Sequence, residues 1–173
     1  MKETRILEFK SDKTKSYLKT VSAFANYDGG QIIFGVDDNG ESVKTIDDTK
    51  KFCLDIENMI NDAIHPQPEY ELSVQEKDKT VTLTVKPGIN KPYMYNSKAY
   101  KRNDTSTIEA DPIELTRLIL DGKHINYEEL PSDTQDLTFK AFESKAIEEI
   151  GIKKLNSEIL KTLNLYNPQK GYN

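Results

Sequence analysis

The sequence predicts an α+β domain, a mixed and mainly antiparallel sheet packed by helices, with a short C-terminal helical extension. Three observations carry this. YELSVQ (70–75) and TVTLTV (80–85) alternate apolar with polar residues, the period of half-buried strands. Residues 48–64 place Phe52, Ile56, Met59, Ile60 and Ile64 on one stripe, the period of an amphipathic helix. The length of 173 residues suits one domain with an appendage. The expected division is a domain over 1–122 and a connector with helices over 123–173.

Taken in order, TRILEFK opens the chain as a strand. A helix follows, capped by Asp12 or Thr14, with Tyr17, Leu18, Val21, Ala23, Phe24 and Ala25 recurring on one side and Asn26 ending it. NYDGG turns the chain into the buried strand QIIFGV, because Asn and Gly tolerate positive φ. Ala23 and Ala25 let the helix approach the sheet, and Gly29-Gly30 is read as a tight connection before it is read as a phosphate-touching amide pair. DDNG (37–40) is a hairpin-type turn. The 48–64 helix stops at His65-Pro66, and EKDK joins the two alternating strands. Lys91-Pro92 breaks the pattern before a last strand, KAYKR. Asp111-Pro112 starts a third helix and Gly122 closes it. Beyond it, HINYEELPSDTQ is a connector, and helices are expected at roughly 138–150 and 154–164. LYNPQKGYN reads as an open end: a tail, or part of a helical pair that packs on the first domain or leads into further chain.

Composition excludes several classes. No apolar run approaches the roughly 20 residues of a membrane-spanning helix, so no membrane partner is expected. A single Cys53 rules out a disulfide framework or a cysteine-built zinc site. The opening MKETRILEF lacks the apolar core of a signal peptide, and a reducing, cytoplasmic setting is the expectation. No GxxxxGK[ST] loop or strand-linked GxGxxG is present, so no ATPase of that type is encoded.

The net charge of −5 argues against a protein that coats nucleic acid with its whole surface. Its distribution is more informative. Residues 1–20 carry six Lys/Arg against three acids, and residues 86–103 carry five against none, whereas 21–85 and 104–173 are acidic. Folded side by side, the two basic segments would form a local cationic surface that selects a phosphate backbone; kept apart, they are solvated faces. KPYMYNSKAYKR interleaves Tyr93, Tyr95 and Tyr100 with Lys91, Lys98, Lys101 and Arg102, a combination suited to stacking bases while pairing phosphates. The competing reading buries these tyrosines in a sheet.

The ordered motifs LEFK, AFAN-x-x-GG-x-I-x-FGV-D-D-x-G and KPY-x6-Y-x-R resemble the AlbA-like domain of the Schlafen family, known in bacteria as a divergent AAA-type class of transcriptional regulators. The likeness spans residue 3 to about 122. It implies a DNA-binding or transcription-associated module, usually the N-terminal part of a longer regulator with an ATPase-like or winged-helix region. For some animal members it implies instead an endoribonuclease acting on structured RNA, with three carboxylates around Mg²⁺ or Mn²⁺. Glu3, Glu8 and Asp38 occupy those catalytic and metal-binding positions. On one regular strand Glu3 and Glu8 would point to opposite faces, so convergence needs a turn or bulge at Glu3. The structural alternatives are pairing of Glu8 with Lys10 or Arg102, and shaping of the turn by Asp37 or Asp38.

The leading expectation is a DNA-binding module of a bacterial transcriptional regulator. Lys10, Lys13, Lys15, Lys98, Lys101 and Arg102 would pair with phosphates, and Tyr93 or Tyr100 would stack on bases. The metal-dependent endoribonuclease is the second reading, and a non-catalytic assembly or regulatory module, with a homo-oligomer among its partners, is the third.

Overall fold

The computed structural model describes residues 2–125 and 130–173. The chain divides into two units, Met1–Lys123 and His124–Asn173. The α+β class is observed, and within the first unit the strands form two four-stranded sheets.

In the first sheet, β1 (Leu7–Lys10) pairs parallel to β2 (Gly30–Phe34), with α1 (Tyr17–Asn26) as the connection between them. The strand expected over TRILEFK is shorter, because Thr4 and Leu7 bridge across a tight bend at Arg5-Ile6. β2 then pairs antiparallel with β5 (Thr80–Val85), and β5 with β4 (Tyr70–Gln75), giving the order β1-β2-β5-β4. Ile32, Phe34, Val81, Leu83 and Val85 are fully buried. α2 (Thr49–Ala63) is capped by the Asp48 carboxylate, which accepts the Lys51 N–H, and it buries Phe52, Ile56 and Ile60. Phe52 meets Phe34 edge-on at 5.5 Å, and Phe34 meets Tyr17 at 5.2 Å.

The second sheet has the order β3-β6-β7-β8, all antiparallel: Ile64–His65, Met94–Tyr95, Lys98–Asn103 and Ser106–Glu109. The expected last strand KAYKR is thus β7, flanked on both sides. α1 packs on β6, β7 and β8 and also on β5 of the first sheet. Its sequence marks one side for burial, yet every residue except Lys19 is buried, Thr20, Ser22 and Asn26 included. Neither Asp12 nor Thr14 caps it. Ser16 stands at its start without a side-chain cap bond, and Thr14 Oγ1 is instead 2.8 Å from Ser16 Oγ.

The turn after α1 is a packing device. A Cβ on Gly30 would lie 2.6 Å from the Phe24 ring, and one on Gly29, at φ +73°, 2.8 Å from Val85 O. Asp37 rather than Asp38 shapes the following turn, where its Oδ1 accepts the Asn39 and Glu41 N–H groups, each at 2.9 Å.

α3 (Pro112–Gly122) opens with a capping box: Asp111 accepts from the Glu114 N–H and Glu114 accepts from the Asp111 N–H. In the second unit, α4 (Lys140–Ile150) and α5 (Ser157–Thr162) precede a small hairpin of β9 (Tyr166–Asn167) and β10 (Gly171–Tyr172). Gln135 bonds both the N–H and the C=O of Tyr172, and the Tyr172 ring lies 5.3 Å from Phe139. Part of the expected connector, residues 126–129, lies outside the described residues. Among the described residues no helix is long and apolar enough to cross a membrane.

Candidate nucleic-acid interface

Strand alternation puts Glu8 and Lys10 on one face of β1. Glu8 is only 5% exposed. Its Oε1 lies 2.8 Å from Lys10 Nζ, and its Oε2 accepts from Thr20 Oγ1 at 2.7 Å and Arg102 Nη1 at 2.5 Å. Arg102 arrives from β7. The same Nη1 donates to Thr107 Oγ1 on β8 at 2.8 Å, and Nη2 donates to the Thr4 carbonyl at 3.2 Å. Thr20 and Thr107 are themselves 2.8 Å apart. The guanidinium also sits 5.7 Å from the centre of the Phe24 ring. One carboxylate therefore joins β1, α1 and β7, and Lys10 and Arg102, from the two basic segments, meet on it. The buried Arg102 Nε has no hydrogen-bond partner among the described residues.

A second polar cluster holds the KPY segment to α1. Asn26 Oδ1 accepts the Tyr93 N–H at 2.7 Å, and Asn26 Nδ2 donates to Tyr93 O at 2.9 Å. Ser22 Oγ donates to the same carbonyl at 2.7 Å and accepts the Tyr100 N–H at 3.3 Å. Asn26 does end the helix, as its sequence position suggests, but its side chain satisfies the backbone of a residue that follows a cis Lys91-Pro92 bond.

The remaining expected phosphate contacts are mostly paired. Lys13 bonds Asp55 of α2 and lies 5.0 Å from the centre of the Phe52 ring. Lys98 pairs with Glu109 at 2.6 Å and Lys101 with Glu114 at 2.7 Å, and these hydrogen bonds raise both ammonium pKa values. Lys15 is exposed, with no ionic partner among the described residues. Lys19, which the sequence motifs do not single out, is exposed as well and lies 5.8 Å from the centre of the Tyr100 ring.

Two expectations need correction. Tyr93 is 3% exposed and Tyr100 7%, so both rings belong to the core and present no face to a base. Tyr100 is buried on β7, and Tyr93, which precedes β6, has its backbone held to α1 by Ser22 and Asn26, contacts that the sequence pattern of the segment does not show. The carboxylates Glu3, Glu8 and Asp38 also do not form an ion site. Glu3 does fold back through the bend, but its Oε1 accepts the Phe9 N–H at 2.8 Å. Both Glu8 oxygens are engaged by cations and a hydroxyl, and Asp38 is exposed in the 37–40 turn. Among the described residues no group of three His, Cys, Asp or Glu side chains could hold a metal. The donor set does not fit Mg²⁺ or Mn²⁺, and no hydrolytic step follows from it.

Beside the Glu8 network lies a cleft of about 220 Å³, lined by Arg5, Tyr27, Asp28, Lys101, Arg102 and Asn103 among others. Arg5 pairs with Asp28 at 2.8 Å on its rim. A second cleft of about 260 Å³ lies along α3 and shares Tyr27 and Glu114 with the first. Burial, reinforced by Glu114, pushes the Tyr27 phenol pKa up.

Comparison with known proteins sets this geometry in context. A crystal structure of the DIP2311 protein from Corynebacterium diphtheriae is similar over 97% of this chain and 34% of that one, with 14% identity and a TM-score of 0.51. That likeness bears on the fold, and the present chain spans about a third of that protein's length. A solution NMR structure of the N-terminal domain of a putative ATP-dependent DNA helicase RecG-related protein from Nitrosomonas europaea is 29% identical, over 59% of this chain and 80% of that one, with a TM-score of 0.42. No curated protein matches the chain. The family model for Schlafen, AlbA_2 matches residues 3–111, well over half of the sequence, and the chain belongs to that family.

Proposed function

We propose that this chain is a nucleic-acid-binding module, with DNA the first ligand to test, and that it serves a bacterial transcriptional regulator. Membership of the Schlafen AlbA_2 family supports a nucleic-acid-related role. The observation that carries the reading is the meeting of Lys10 and Arg102 on the Glu8 carboxylate: it brings two basic segments distant in sequence to one place, while the charge offered to phosphate comes from exposed lysines of those segments and not from Arg102, whose side chain is 4% exposed.

Electrostatics set the strength of the contact. Lys15 and Lys19 offer charge with no acidic partner among the described residues. Lys98 and Glu109 are each about half exposed, at 51% and 52% of their side chains. A pair so exposed to solvent contributes little, so a phosphate can recruit the lysine at little cost. Three phosphate contacts give a salt slope of about −2.7 on logarithmic axes for duplex DNA, at about 0.9 per contact.

Titration of the chain with DNA and RNA oligonucleotides at two salt concentrations tests the proposal. Binding that weakens with salt at about this slope supports it. No binding at low salt, or binding indifferent to salt, refutes it.

A further inference from the structure

With Tyr93 and Tyr100 in the core, a nucleic-acid surface on this molecule lacks the aromatic platforms its sequence promised. Tyr27 stands where one is needed. It follows α1 directly, is half-buried, and forms a wall of both clefts. Each cleft, at about 220 and 260 Å³, is smaller than the roughly 300–1,000 Å³ of a typical small-molecule pocket. That space suits one base or one phosphate group and cannot take a duplex.

Tyr27 is shared by two clefts that carry charged side chains. Lys101 and Arg102 line the first cleft with Arg5, and Lys91 and Arg117 line the second. The acids Asp28, Glu114 and Asp121 also face these spaces, and of the five cations Arg102 is turned inward onto Glu8 with its side chain 4% exposed. Arg5, Lys91 and Lys101 each keep a carboxylate partner, Asp28, Asp121 and Glu114, while Arg117 has no ionic partner among the described residues. An aromatic side chain shared by two clefts of nucleotide scale, each carrying cations, suits a single strand bound by stacking and phosphate pairing together.

We infer that Tyr27 is the stacking platform for one unpaired base of a single strand, with the flanking phosphates directed toward the Arg5/Lys101 and Lys91/Arg117 sides. The inference rests on the nucleic-acid reading above and deepens it, because it specifies single-stranded polynucleotide and names the residue that reads it.

The chain contains no tryptophan, so Tyr27→Trp installs a single fluorescent reporter at the platform. The experiment titrates the whole chain with short oligo(dT), oligo(U) and a duplex of equal length. Expected results are quenching of the introduced indole's fluorescence by oligo(dT), and tighter binding of oligo(dT) than of duplex by the unsubstituted chain. Tyr27→Ala should weaken oligo(dT) binding about tenfold, within the roughly 5- to 150-fold span of one lost base stack, with an unchanged salt slope. Tyr27→Phe should bind like the parent. Unquenched fluorescence at saturation, Tyr27→Ala within twofold of the parent, or duplex bound as tightly as single strand overturns the platform. These outcomes leave salt-dependent binding by the parent intact. Failure of the parent to bind any of the three at low salt removes the nucleic-acid reading itself.

Discussion

Replacing Arg102 by alanine is the most direct probe of how the first unit holds together. The guanidinium donates to Glu8, Thr107 and Thr4 and covers the Phe24 ring, while Glu8 is almost completely buried. Removing one partner of a buried ion pair costs about 3–5 kcal/mol, because it leaves an uncompensated charge. Here Lys10 and Thr20 still serve the carboxylate, which puts the expectation at the lower end, about 3 kcal/mol. For a unit of this size that corresponds to a fall in Tm of about 10 °C. The single change Glu8→Leu should cost a similar amount, since it strands Arg102. The double change Glu8→Leu with Arg102→Ala removes both members of the pair and should cost less than the sum of the singles, with a coupling of at least about 1 kcal/mol. Urea unfolding followed by circular dichroism measures the parent, the singles and the double. Additive effects, or an Arg102→Ala variant within about 1 kcal/mol of the parent, would refute the view that one buried carboxylate ties the two sheets.

Three further outcomes are expected. Asn26→Ala leaves the Tyr93 N–H without its acceptor, while Ser22 continues to serve the Tyr93 carbonyl, so stability should fall by about 1–3 kcal/mol in the same urea assay. Gly122→Ala would normally favour a helix, yet its Cβ would collide with the Lys91 carbonyl; thermal melts should show a loss rather than the usual gain of up to about 1 kcal/mol. The Asp111 carboxyl is held below its ordinary pKa of 3.8, chiefly by the Glu114 N–H, so its cap contribution is present above that pH and lost as pH falls through the depressed folded value. Asp111→Asn should therefore remove part of the acid-induced fraying of α3, read by amide exchange, and leave neutral-pH behaviour nearly unchanged.

Much of the architecture is visible in residue patterns, and the departures share a physical cause. The α2 stripe and the alternation of β4 and β5 are legible because α2 and β4 each keep a wet face. α1 misleads because it is covered from two directions, so Thr20, Ser22 and Asn26 go inside with the apolar residues and periodicity no longer marks a surface. Once inside, those polar residues need partners, and they find them in Glu8, Tyr93 and Tyr100. Their signal is present as three hydrogen-bonding side chains in an otherwise apolar helix. Likewise β3 and β6, two residues each, are too short to show a period. The basic segment is legible as a unit of sequence, but the pairings of Lys98 and Lys101 with Glu109 and Glu114 depend on β8 and α3, which sequence spacing alone does not bring near. Tyr27 carries no mark at all: it sits between motif positions, and only the clefts on either side of it give it meaning.

A helix wedged between two layers and bonded to each has no free direction in which to slide. Relative movement of the layers would have to drag α1 along and break the contacts of Thr20, Ser22 and Asn26 together. The first unit should therefore meet a ligand as a stiff block, adapting through exposed side chains such as Arg5 and Lys98 rather than by opening like a jaw. For such a block, a change of partner comes from altering the rim, and the interior can stay as it is.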